Sequence, residues 1–313
     1  MSWTIEAVRS EDARQALRWT LAAPDQSRGE LERQVNAFLE YCRALALDGG
    51  RHWLARLDGR VAAACTCLPS PGRTAMLFLP DGDVLRPSAD DVERLVRWAL
   101  DAQPDLKNHL FQCLLREQDL VNQQALRAVG FRDLAVLRYL ECRIQPDQMA
   151  APCGECNGAE WIAYRADRHD QFAAVISATF QGSLDCPGLN GLRSIEEVIA
   201  GHQAVGKFDP RRWLLLRIHG EAAGCILFGE NPLRPMLELT YMGLTPQWRG
   251  RGVGRYLLRH GLALACRQGV ESVTVAVDSA NAAAIRLYES TGFRETARRL
   301  AMIHSPASSF GNV

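Results

Sequence analysis

The segment Leu244-Thr-Pro-Gln-Trp-Arg-Gly-Arg-Gly-Val-Gly-Arg-Tyr-Leu-Leu258 decides how this chain is read. The apolar run Met236–Leu244 reads as a strand and Thr245-Pro246 as a turn. From Val253 to Arg267 the spacing of apolar residues predicts a helix. Between turn and helix, glycines stand at 250, 252 and 254. Glycine at alternate positions lets backbone N–H groups crowd around a ligand without Cβ clashes. Those N–H groups belong to the first helical turn, where donors are unpaired and the helix dipole adds positive potential. The pattern is a seat for a pyrophosphate, with Arg249, Arg251 and Arg255 adding charge. A P-loop would need Lys and then Ser or Thr, and no Lys follows Gly254. A dinucleotide-binding loop would need G-x-G-x-x-G, whereas the spacing here is G-x-G-x-G. A glycine-rich turn with solvated arginines is the plain alternative.

Downstream, after a strand over Ser272–Val277, comes Asn281-Ala-Ala-Ala284-Ile-Arg-Leu-Tyr288-Glu-Ser-Thr-Gly292-Phe293. Asn281 and Tyr288 are seven residues apart, two helical turns, so they share a face. With these pieces in place, the chain resembles the GNAT superfamily of N-acetyltransferases. The family's loop motif, Q/R-x-x-G-x-G/A, is met by Gln247-Trp-Arg-Gly250-Arg-Gly252. Its helix pattern, Asn-x-x-Ala-x-x-x-Tyr-x-x-x-Gly-Phe, is matched at every named position. The resemblance is strong over Trp213–Arg294 and weaker over the rest of the second half.

The resemblance implies an α+β fold in which a mixed, partly antiparallel sheet is flanked by helices. It implies acetyl-CoA as co-substrate and a primary amine of a small molecule or peptide as acceptor, joined directly in a ternary complex. CoA would be held by Met242, Leu244, Thr245, Arg249, Gly250, Arg251, Gly252, Val253, Gly254, Arg255 and Asn281. Such a reaction wants a base for the ammonium, donors for the oxyanion and an acid for the departing sulfur. Tyr288 stands at the family's acid position, and backbone N–H groups near Met242–Leu244 are the expected oxyanion donors. Glu238 stands where several branches of the family place the base. An apolar strand is a costly place for a carboxylate, and burial would raise its pKa. An aromatic packing residue and an edge-strand charge are the plain readings of these two. Asp185-Cys186-Pro187-Gly188 falls where family acceptor loops often occur.

A degenerate repeat organises the whole chain. The Gly-Phe pairs at 130–131 and 292–293 stand 162 residues apart, and Trp53 and Trp213 stand 160 apart. Each half reads as the same succession of strands and helices, giving two tandem folds. The predicted boundaries are 1–144 for a first copy, 145–158 for a Pro/Gly-rich linker and 159–305 for a second, catalytic copy. The first copy lacks the Gly-x-Gly loop: after Leu79 it runs Pro80-Asp-Gly-Asp-Val. Asp119 falls opposite Asn281, Leu126 opposite Tyr288, and Thr74–Leu79 holds no carboxylate. It therefore reads as a silent copy. The two-copy arrangement resembles tandem members of the family, the mycothiol synthase type among them. A non-catalytic acyl-CoA-binding module is the alternative function.

Composition bounds these readings. Over 313 residues, Lys+Arg and Asp+Glu are each 36, a balance that speaks against nucleic acid as partner. Hydrophobic residues make up 47%, which supports real cores, and no apolar run is long enough for a membrane span. No signal-peptide stretch opens the chain, so a cytoplasmic location is expected. The seven histidines show no metal spacing, and no metal is expected. Among the ten cysteines, Cys65, Cys67, Cys113, Cys142, Cys225 and Cys266 are predicted as small buried side chains. Cys153 and Cys156 form a lone CxxC, read as linker residues. Trp161, Trp213 and Trp248 could line an acceptor pocket, although core packing is the commoner fate.

Overall fold

A computed structural model describes residues 2–9, 12–145 and 156–305. Over them the chain forms two compact units built on one order of elements. The first series is β1 (Trp3–Val8), α1 (Ala13–Thr20), α2 (Arg28–Ala44), β2 (Arg51–Leu57), β3 (Arg60–Ser70), β4 (Thr74–Phe78), the single turn α3 (Gly82–Leu85), α4 (Ala89–Asp101), β5 (Leu110–Leu115), α5 (Leu120–Val129) and β6 (Arg132–Arg143). The second is β7 (Ala159–Ala163), α6 (His169–Phe180), α7 (Ile195–Gln203), β8 (Lys207–Ile218), β9 (Glu221–Glu230), β10 (Met236–Leu244), α8 (Val253–Arg267), β11 (Ser272–Asp278), α9 (Ala282–Ser290) and β12 (Arg294–His304). In each unit four strands form an antiparallel meander and a fifth joins in parallel. This is the mixed, helix-flanked α+β sheet that the motifs implied.

The closing strands depart from the sequence boundaries. β6 pairs antiparallel with β11, from Leu137↔Asp278 to Arg143↔Ser272. β12 pairs antiparallel with β5, from Leu300↔Leu115 to His304↔Phe111. One unit therefore holds the chain up to Val136 together with Arg298 onward, and the other holds Leu137–Ala297. These units cut across the boundaries 1–144 and 159–305. Alternation of side chains identifies a strand but does not say which free edge it will join. Most of the predicted linker, 146–155 with Cys153, lies outside the described residues, as does the tail from 306.

In the second unit one core lies between the sheet and helices α8 and α9, and another between its opposite face and α6 and α7. Helix α8 forms because Val253, Leu257, Leu258, Leu262 and Ala265 make one apolar stripe, all buried. Each of the larger ones contributes about 1.5–3 kcal/mol by leaving water. Gly261 lets α8 lie close on β9, since a Cβ there would meet Ile226 Cδ1 at 2.6 Å. Ser194 and Glu197 start α7 with a reciprocal capping box. Five of the six cysteines named above are buried as expected; Cys266 is half-buried. Burial pushes the Cys67 and Cys225 thiols up to about 12. No helix among the described residues is long and apolar enough to cross a membrane.

Candidate active site

Strands β10 and β11 pair in parallel only from Met236↔Ser272 to Glu238↔Thr274. Immediately afterwards the register of β10 against β9 shifts between Leu239 and Tyr241, a bulge. The residues that follow on both strands, Leu239–Leu244 and Val275–Val277, line a cavity of about 990 Å³. The cavity runs to the start of α8, where Gly250, Gly252, Gly254 and Arg255 line it, and along α9, where Asn281 and Tyr288 do. One cleft thus joins most of the residues expected from the motifs.

At its outer end Gly250 and Gly252 adopt φ +72° and +80°, and a Cβ on either would meet nothing within 4 Å. The space above these glycines is open, and the N-terminus of α8 faces it. That arrangement suits a pyrophosphate. Asn281 caps α9 by accepting a hydrogen bond from Ala284 N at 3.2 Å. The Tyr288 ring is buried against Phe293, with centroids 5.3 Å apart. Burial, then the nearby Asp185 carboxylate, raises its pKa, so it stays a phenol.

Four expected CoA contacts have other surroundings. Arg249 also lines the cavity, but its guanidinium donates to three backbone carbonyls: Leu244 at 3.1 Å, Gly182 at 3.0 Å and Thr179 at 2.8 Å. It ties the end of β10 to the end of α6. Thr245 is buried, its hydroxyl donating to Ala222 O at 3.0 Å. Val253 is buried in the core under α8. Arg251 lies over the Trp248 ring, 5.6 Å from its centroid, and does not line the cavity. Loop sequence shows which arginines are near a phosphate seat, not which are already engaged.

Glu238 lies on the opposite face of β10 from the buried Leu237 and Leu239, one residue before the cavity lining begins. Glu238 is exposed on this strand, and partial loss of water at its carboxyl raises its pKa. Trp213 is fully buried and Trp161 stacks on His260, so neither lines the cavity.

The motifs missed Tyr241 and Thr179, whose hydroxyls lie 2.7 Å apart on the cavity wall. Burial raises the Tyr241 pKa as well. The bulge breaks the two-residue alternation that would have placed Tyr241. Asp185 also lines the cavity, and Asp278 N donates to its Oδ1 at 3.1 Å while Cys186 N donates to Asp278 Oδ2 at 3.2 Å. This clasp fixes the loop after α6 to the end of β11. Lost hydration, and then the Asp278 charge, raises the Asp185 pKa.

Residues 181–293 match the model of the Acetyltransferase (GNAT) family. A mycothiol acetyltransferase from Propionibacterium freudenreichii subsp. shermanii is 31% identical over 181 residues, covering 56% of this chain and 54% of that protein. The chain spans about half or less of the length of the curated relatives it matches. Among solved structures, a GCN5-related N-acetyltransferase from Sphaerobacter thermophilus is similar at TM-score 0.64 and 19% identity, over 98% of this chain and 97% of that one. A tandem GNAT protein from the clavulanic acid biosynthesis pathway is similar at TM-score 0.55 and 14% identity, over 99% and 100% of the two chains. At these identities the likeness is one of fold.

Proposed function

We propose, from the match of residues 181–293 to the Acetyltransferase (GNAT) family model, that this protein transfers an acetyl group from acetyl-CoA to a primary amine of a small molecule or peptide. The observation that carries this reading is the single cleft running from the open glycines at the start of α8 to Asn281 and Tyr288 on α9. The residues present fit the donor: Gly250 and Gly252 leave room for phosphate oxygens against the α8 N-terminus, while Gly254 lets α8 pack against Leu287, whose Cδ2 a Cβ there would meet at 3.3 Å. Beyond the last β10–β11 pair, the strand edges that line the cleft offer backbone groups to the pantetheine arm. Backbone N–H groups near Met242–Leu244 then serve the developing oxyanion.

Glu238 takes the amine proton through water, a role compatible with its accessible position beside the cleft. Tyr288 gives a proton to the departing sulfur. Its raised pKa keeps that proton in place until thiolate develops nearby. The first copy is silent. At the position of the glycine loop, Asp81 and Asp83 are both paired with Arg116, and Gly82 N donates to Asp119 Oδ2 at 3.2 Å. Asp119 caps α5 as Asn281 caps α9, but the preceding loop is folded onto that cap.

The test is acetyl-CoA turnover across an amine panel, with wild type beside Tyr288→Phe and Glu238→Gln. Each variant is expected to lose about 10²–10³-fold in kcat while still binding acetyl-CoA. Full activity in both would remove these assignments. Tight acetyl-CoA binding with no product from any amine would leave a binding module instead.

A further inference from the structure

The cleft does not end at the α8 glycines. Arg255, Glu289 and Ser290, at its outer end, also line a second cavity of about 380 Å³ whose wall includes Arg259, Thr291 and Arg294. Arg255 and Arg259 are one helical turn apart on α8 and share a face. Arg294 faces the same cavity from the start of β12. Arg255 Nη2 donates to Ser290 Oγ at 3.2 Å, and Arg294 Nη1 to the Phe293 carbonyl at 3.0 Å. No carboxylate pairs with Arg255, Arg259 or Arg294 among the described residues. Glu289, the carboxylate on the wall, is held by Arg138 at 2.8 Å.

A chain of zero net charge thus gathers three guanidinium groups around one small cavity. Three uncompensated charges this close favour an anion with several acceptor oxygens, and the planar guanidinium fork matches phosphate. Arg255 belongs to both cavities, so the anion lies one side chain away from the pyrophosphate seat. The hydroxyls of Ser290 and Thr291 donate to the Leu287 carbonyl at 2.9 and 3.0 Å. They cover the negative end of α9, which would otherwise oppose an anion. They also leave recognition to the arginines.

Resting on the acetyl-CoA reading above, we propose that this cavity binds the phosphate monoester on the ribose of coenzyme A. Arg255, Arg259 and Arg294 grip it, and the grip selects CoA thioesters over the same thioesters of dephospho-CoA, which lack that phosphate. The cleft alone does not make this distinction, because the thioester, pantetheine and pyrophosphate all lie upstream of the second cavity.

Calorimetric titration of the full chain with CoA and with dephospho-CoA tests the proposal. Wild type is expected to bind CoA at least about tenfold more tightly than dephospho-CoA. Arg259→Ala with Arg294→Ala is expected to weaken CoA and leave dephospho-CoA unchanged to within about twofold, closing the gap. Equal wild-type affinity for the two ligands overturns this inference alone, as does a variant that weakens both alike. Binding of neither ligand overturns the acetyl-CoA reading and this inference with it. If the double variant fails to fold, the wild-type pair decides the matter.

Discussion

Tyr288 and Glu238 both carry raised pKa values, with opposite consequences. For Tyr288, burial favours the neutral phenol, the form an acid must hold before it acts. For Glu238, the shift moves the ionised, base-competent form to higher pH than for an ordinary glutamate. The acid limb of kcat/KM is therefore expected above the usual glutamate range, and the Glu238→Gln profile should lack that limb. A wild-type limb at the ordinary glutamate value would show that Glu238 does not govern it. The same shift has a sign for stability. A raised carboxyl pKa stabilises fully below the unfolded value, and that contribution is lost as pH rises through the folded one. At neutral pH, Glu238→Gln should thus melt no lower than wild type. The place of Tyr288 on the cleft wall was legible in the sequence, because the helix pattern fixed its position, whereas Glu238 lies one residue outside that wall. Tyr241 was not, because the shift at Leu239/Tyr241 resets the side-chain alternation.

The elements that make the cleft are a bulged strand, a glycine loop and a tied corner. The helix bounds Val253–Arg267 and the strand bounds Met236–Leu244 matched the sequence reading residue for residue. The function of Arg249 did not follow from its neighbours. Its charge suggested phosphate, but its three donors hold Leu244, Gly182 and Thr179 carbonyls. Arg249→Ala is expected to lower stability by about 1.5–3 kcal/mol, seen in denaturant unfolding. Arg249→Lys should not restore it, because an ammonium cannot span three carbonyls in that plane. A variant that unfolds like wild type but binds acetyl-CoA weakly would return Arg249 to the phosphate. Gly252 behaves differently. No side chain crowds it, so Gly252→Ala is opposed by its left-handed backbone alone, at about 1–2 kcal/mol.

At the scale of the molecule, the exchange of β6 and β12 means that neither sequence half contains its own closing strand. A fragment of residues 159–305 lacks β6 and leaves the β11 edge open from Ser272 to Asp278. A fragment of residues 1–144 lacks β12 and leaves β5 open from Phe111 to Leu115. Each fragment alone is expected to be insoluble or to unfold without a cooperative transition, because exposed edges invite pairing. Producing the two together should recover soluble material that melts cooperatively. A 159–305 fragment that folds and binds acetyl-CoA by itself would contradict this.

The sequence by itself determined the repeat, the order of elements, the glycine loop before α8 and the helix that carries Asn281 and Tyr288. Those features rest on local rules: side-chain period, glycine at left-handed turns and capping at helix ends. Tertiary structure decided which strand closes which sheet, which arginine is a strut, and where the arginine cavity lies. Each of those depends on residues far apart in the chain, such as Thr179 with Arg249 or Arg259 with Arg294. Nothing in local spacing states that such side chains will meet.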